Sequence, residues 1–334
     1  MEQRQRGASS ARFVLPVLFA TALTSCGDSG AGAGAAGGAG PDTGGAGATG
    51  AGANGTGGAG ASGMTGGSGG STGGAGGSTE EPTTTTGGGG AGTGGGSMGC
   101  GMPTPAGTTT KSLTVDGEER TYLLVVPTAL DGLTPVPVLM GFHGGSGTSE
   151  AAAQQYGLTG PEPALYVYPQ ANLHPTAGGV AWELEENTDD IALVDAILID
   201  LEQSHCIDTE RVFAAGQSNG AFFTNLLACS RPESFRAIAS AAGGGPWTNC
   251  GDAVAAMIVH GENDTTVPLE QGIASRDYWL AANGCTGAAS TPVEPSPCVE
   301  YQGCENPVRW CQHEGGHPWP AFAGDGIRNF FFGL

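Results

Sequence analysis

The chain has 334 residues, a net charge of −21 and a single lysine, Lys111. A negative field of that size disfavours nucleic acid and anionic surfaces as partners and favours neutral substrates. Glycine occurs 63 times, mostly ahead of Cys100, so the count describes a leader and linker more than a packed domain.

Residues 1–25 read as a signal peptide. Arg4, Arg6 and Arg12 form a basic start, and 13–23 is apolar but too short to span a bilayer as a helix. The stretch closes on Leu23-Thr24-Ser25-Cys26, which resembles a bacterial lipobox, with Cys26 as the lipidated N-terminus after cleavage. The alternative is an ordinary signal peptide ahead of an unrelated cysteine. Residues 26–99 are almost all Gly, Ala, Ser and Thr. Such a segment buries too little apolar surface to offset its chain entropy, and a disordered tether of about 70 residues spans roughly 45–50 Å. Membrane contact is expected only through the lipid anchor. Residues 100–334 suffice for one well-buried domain.

Within that domain, residues 113–115 and 122–126 flank the turn signal Asp116-Gly117 and predict an antiparallel hairpin. Residues 136–142 predict an apolar strand running into His143-Gly144-Gly145-Ser146-Gly147, and 165–168 a short one. Thr188 or Asp189 can cap a helix to about Ser204, with Ile191, Val194, Ile197, Leu198 and Leu201 at helical spacing. A strand at 212–215, the turn Gly216-Gln217-Ser218-Asn219-Gly220 and a helix to about Cys229 come next. A strand at 235–242, a strand at 255–259 ending in His260-Gly261, a helix including 277–282 and a last strand at 308–310 complete the order. Strands alternating with helices predict an α/β fold: a mostly parallel sheet covered on both faces, with chemistry at the strands' carboxyl ends.

The pattern G-x-S-x-G also occurs around Ser68, Ser71 and Ser97, in the glycine-rich tract. Only around Ser218 does it join a strand to a helix, which is the context of a nucleophile elbow. A serine hydroxyl needs a base to accept its proton and an acid to orient that base. Ser218, Asp264 and His317 supply these in the order serine, acid, histidine. Glu262 shares the loop of Asp264, and His313 is the other histidine after it. An oxyanion hole needs two backbone N–H groups, expected from Asn219 and from Gly145 or Gly144. His143 and His260 read as structural hydrogen-bonding residues. Trp182 and Trp319 are placed either to stack on an aromatic or sugar ring of the substrate or to shield the site by packing. Glu183, Glu185, Glu186, Asp189 and Asp190 read as a solvated face with a helix cap, the alternative being a calcium site. Leaving out Cys26, eight cysteines remain, an even number that reads as up to four disulfides of open connectivity. There is no C-x-x-C pair, and no metal is expected.

Taken together, His143-Gly144-Gly145, Gly216-Gln217-Ser218-Asn219-Gly220, His260-Gly261-x-x-Asp264-x-x-Val267-Pro268 and Gly315-Gly316-His317-x-Trp319-Pro320 resemble the polyhydroxybutyrate depolymerase and feruloyl esterase group, a carbohydrate-esterase-one-like branch of the α/β-hydrolases. Trp182 with Asp189-Asp190, Ile207-Asp208-x-x-Arg211-Val212 and Cys229-x-x-Pro232-x-x-Phe235 extend the resemblance over about 110–325. It implies an α/β-hydrolase fold, Ser218, Asp264 and His317 as a triad, and no cofactor. Two departures stand out: Ala221 where the family usually has a second glycine, and a Pro- and Cys-rich stretch at 286–304 that should reshape one rim of the site. The expectation is an exported, lipid-anchored, monomeric serine esterase. It would cleave feruloyl or acetyl esters of plant polysaccharide, or polyhydroxyalkanoate-type esters, through an acyl-enzyme. A non-catalytic surface-binding lipoprotein and a peptidase of the same fold are the rival readings.

Overall fold

A computed structural model describes residues 96–174, 178–246, 250–285 and 289–334. The signal peptide, Cys26 and the tether up to residue 95 lie outside the described residues. The opening hairpin is β1 (Gly107–Val115) and β2 (Glu118–Val126), turning through Asp116 and Gly117, both at positive φ. In chain order there follow β3 (Val136–Phe142), α1 (Ser149–Gln155), β4 (Leu165–Pro169), the small hairpin β5 (Leu173–His174) and β6 (Gly179–Val180), and α2 (Asp189–Ser204). The second half holds β7 (Ile207–Gln217), α3 (Asn219–Ser230), β8 (Ala237–Ala241), β9 (Ala255–Gly261), α4 (Leu269–Ala282), β10 (Ser290–Pro292), β11 (Cys298–Tyr301), β12 (Val308–His313) and α5 (Ala323–Phe332).

One ten-stranded sheet runs β1-β2-β4-β3-β7-β8-β9-β12-β11-β10. From β4 to β12 the neighbours pair in parallel; β1, β2, β10 and β11 extend the two edges with antiparallel pairs. The apolar runs of β3, β8 and β9 are buried along their whole length, as a sheet covered on both faces requires. Alternate side chains divide between two cores. Val212, Ala214, Ile238 and Ile258 join Ile191, Phe223 and Trp279 from α2, α3 and α4, while Phe213, Ala215, Ala239 and Met257 join Ala152, Ile327 and Phe331 from α1 and α5.

The structure adds what the local pattern left out. Helix α1 is only seven residues long, set by Thr148, whose hydroxyl accepts the Ala151 N–H at 3.1 Å. In α5, Ala323, Ile327, Phe330 and Phe331 form one buried stripe at helical spacing. The stretch 286–304 contributes the two edge strands β10 and β11. All eight domain cysteines are paired: Cys100–Cys206, Cys229–Cys250, Cys285–Cys304 and Cys298–Cys311. The first ties the N-terminal segment to the start of β7, where Ser97 Oγ donates to His205 O at 2.6 Å and accepts the Ile207 N–H at 2.9 Å. One serine from the glycine-rich repeats thus serves as a structural clasp.

Candidate active site

Between β7 and α3 stands one residue, Ser218, at φ 54° and ψ −122°. Positive φ is strained for any residue with a Cβ; here the Ser218 N–H is held by Ala241 O of β8 at 2.9 Å. The flanking glycines are packing requirements. A Cβ on Gly216 would lie 2.2 Å from Gly220 O, and one on Gly220 would lie 2.3 Å from Phe142 O. Neighbouring backbone therefore closes around the turn and leaves the serine at its apex, at the carboxyl end of β7.

Three loops converge on that apex. His317 Nε2 lies 2.9 Å from Ser218 Oγ, and His317 Nδ1 lies 2.8 Å from Asp264 Oδ2. The other carboxylate oxygen of Asp264 accepts the Thr266 and Val267 N–H groups at 2.9 and 2.8 Å. Burial pushes the Asp264 carboxyl up, but the hydrogen bonds from His317, Val267 and Thr266 outweigh it and hold the group below its ordinary value. An ionised carboxylate only accepts, so the His317 proton sits on Nδ1 and Nε2 is left to accept from the serine hydroxyl. Glu262 instead accepts from Gln312 Nε2 at 2.7 Å. His313 accepts the Gly315 N–H at 3.1 Å and meets the ring of Phe322.

The loop after β3 lies against the serine. A Cβ on Gly144 would be 3.4 Å from the Cβ of Ser218, and one on Gly145 would be 4.0 Å from that of Asn219. Gly144, one of the two glycines expected to face an oxyanion, turns its N–H to Tyr156 Oη at 3.2 Å. The N–H groups of Gly145 and Asn219 have no partner among the described residues. His143, fully buried, fixes this loop: its Nδ1 lies 2.8 Å from Gly144 O, and its Nε2 accepts the Ala171 N–H at 3.2 Å. That pairing defines a neutral imidazole, and burial holds its pKa down. His260, also fully buried, places Nε2 2.9 Å from Val267 O beneath the Asp264 turn.

Trp182 is a packing residue and not a stacking platform for substrate. It is 2% exposed, stacked on Phe223 and edge-on to Phe142, with Nε1–H donating to His143 O at 2.8 Å. Its backbone is clasped from both sides by the Asn219 amide, at 2.6 and 3.2 Å. Trp319 is half-buried, two residues beyond His317, with one face stacked on Tyr156 at 4.2 Å. Within the acidic run, Asp190 is buried and spent on Arg120 at 2.5 Å and on the Glu183 N–H at 2.8 Å. Sequence reasoning missed Gln217, whose Nε2 donates to His317 O at 3.0 Å and ties the histidine loop to the elbow. It also missed Tyr156 and Arg120. The Gln217–His317, Tyr156–Trp319 and Arg120–Asp190 partnerships join residues far apart in sequence, and no local pattern announces them.

A parallel sheet carrying a serine on a strand–turn–helix elbow, with histidine and carboxylate delivered by later loops, defines an α/β-hydrolase. Comparison with known proteins narrows this. Residues 180–253, around the elbow, match the prolyl oligopeptidase family. Probable feruloyl esterase C of Aspergillus flavus is 30% identical over 235 residues, covering 66% of this chain and 83% of that protein. Feruloyl esterase D of Neurospora crassa is 30% identical over 246 residues, covering 66% and 82%. Among solved structures, acetyl xylan esterase from Aspergillus awamori superposes with a TM-score of 0.53 at 15% identity, covering 68% of this chain and all of that one; it supports the fold. The chain belongs to the feruloyl esterase family and is a carboxylic ester hydrolase.

Proposed function

We propose that the protein is an exported serine esterase that releases feruloyl groups from plant polysaccharide, with Ser218 as nucleophile, His317 as general base and Asp264 as its orienting acid. Ser218 Oγ attacks the ester carbonyl while His317 Nε2 takes its proton. The tetrahedral oxygen is held by the Asn219 and Gly145 N–H groups, and Gly144 contributes close approach in place of an N–H. His317 then protonates the departing sugar alcohol. A water molecule, deprotonated by the same imidazole, releases the acyl group from Ser218. No cofactor takes part. The observation that carries this reading is the hydrogen-bonded row Ser218–His317–Asp264 at 2.9 and 2.8 Å.

The feruloyl assignment rests on the curated relatives and on Trp319, a half-buried indole two residues beyond His317, which suits an aromatic acyl ring. Acetyl esters and polyhydroxyalkanoate esters are the alternatives. Export fits the four disulfides. On this reading residues 1–25 direct export, Cys26 carries the lipid, and the glycine-rich tract up to about residue 95 holds a monomeric catalytic domain, to which 96–99 are clasped through Ser97, away from the envelope, where it can reach polymeric substrate. The test is comparative hydrolysis of methyl ferulate, acetylated xylan and polyhydroxybutyrate by the wild-type protein. The highest kcat/KM should fall on methyl ferulate; a clear preference for either of the others overturns the acyl assignment.

A further inference from the structure

Tyr156 carries a hydrogen-bond donor that is not used among the described residues. A phenol hydroxyl offers one O–H and accepts through its lone pairs. The Gly144 N–H fills one acceptor position at 3.2 Å, and the O–H itself has no acceptor among the described residues. The side chain is nevertheless buried, 6% exposed, where an unspent donor is uncommon and calls for an explanation. Its position supplies one. Tyr156 caps α1, its ring is clamped against Trp319 at 4.2 Å and 10°, and its oxygen accepts the N–H of the glycine on which a Cβ would lie 3.4 Å from that of Ser218. The hydroxyl is thereby fixed to the loop after β3 while the ring lies on the loop of His317, the two loops that meet Ser218.

Building on Ser218 as nucleophile, we propose that Tyr156 is a catalytic residue of the oxyanion hole: its O–H, polarised by the Gly144 N–H, donates to the developing oxyanion beside the Asn219 and Gly145 N–H groups. Gly144 thus acts through one intervening hydroxyl rather than directly. An accepted hydrogen bond strengthens the O–H as a donor. No proton is transferred; burial pushes the phenol up to about 12, so it stays protonated at working pH.

Tyr156→Phe removes only the hydroxyl and keeps the ring on Trp319. For methyl ferulate, kcat should fall about 10²-fold with KM changed by less than about twofold. Affinity for a trifluoromethyl ketone, whose Ser218 adduct carries an oxyanion, should fall by the same factor as kcat/KM, while ferulic acid binding stays unchanged. Retention of kcat/KM within about threefold would overturn the proposal. So would a fall in kcat with ketone affinity intact, or with ferulic acid binding lost in parallel, because either result means only that the loop has shifted. Ser218→Ala in the same assay separates the two levels: if it remains active, the nucleophile assignment fails first, whereas an inactive Ser218→Ala beside an active Tyr156→Phe overturns Tyr156 alone.

Discussion

The Asp264 carboxylate is the residue on which the proposed chemistry turns. One oxygen faces His317 Nδ1, and the other is satisfied by two backbone N–H groups, so it can only accept, and it fixes which imidazole nitrogen is free. An asparagine there has the same shape but can present an N–H, which reverses the His317 tautomer. Asp264→Asn is expected to lower kcat by about 10³–10⁴-fold with KM little changed, measured on methyl ferulate. The same contrast explains why a neighbouring glutamate is not equivalent: Glu262 spends its carboxylate on Gln312. Trp182 shows where residue types mislead. An indole that packs under a site and one that stacks on a sugar look alike in sequence; only its neighbours, Phe223, His143 O and the Asn219 amide, tell them apart.

Among the elements, strand β7 separates stability from chemistry. Its first residue follows Cys206 and its last precedes Ser218, so the Cys100 clasp and the proposed nucleophile lie at opposite ends of eleven residues, on the order of 35 Å apart. The Cys100–Cys206 disulfide spans a sequence separation of 106, and closing so long a loop limits the unfolded chain strongly. Replacing both Cys100 and Cys206 by Ser should lower unfolding free energy by about 2–4 kcal/mol in urea melts while leaving kcat on methyl ferulate unchanged. A loss of kcat at full folding would place the clasp in the site's support. Elements also differed in how well the sequence announced them. Strands β3, β8 and β9 were plain because burial on both faces makes them continuously apolar. Helix α1 was silent because seven residues show too little periodicity. Strands β10 and β11 were hidden because their Pro-rich sequence reads as loop, and they are held by the Cys285–Cys304 and Cys298–Cys311 bridges and by pairing with β12.

At the scale of the whole molecule, acid should loosen the fold. Burial holds His143, His205 and His313 below the ordinary imidazole value. The unfolded chain therefore takes up protons first as pH falls below about 6.5. Their contribution to stability is complete above that pH and is lost as pH falls toward the folded values; the depressed Asp264 extends the loss below about pH 4. Relief of repulsion in a chain of net charge −21 acts in the opposite sense. At about 0.15 M salt, with a Debye length near 8 Å, surface repulsion is screened more than the buried groups are, so Tm should fall between pH 7 and pH 5. A rise would show that charge repulsion governs. The overall architecture and the ordered serine, carboxylate and histidine were legible because each sits at a strand end in its own short pattern. The Gly144–Tyr156 and Gln217–His317 bonds were not, since only the folded sheet brings those loops together. All of this converges on Ser218. The most direct measurement is hydrolysis of methyl ferulate by the wild-type protein and by Ser218→Ala. Turnover is expected in the first and a loss of at least about 10³-fold in the second; equal rates in both, or no turnover by the wild-type protein, would overturn Ser218 as the nucleophile of an esterase.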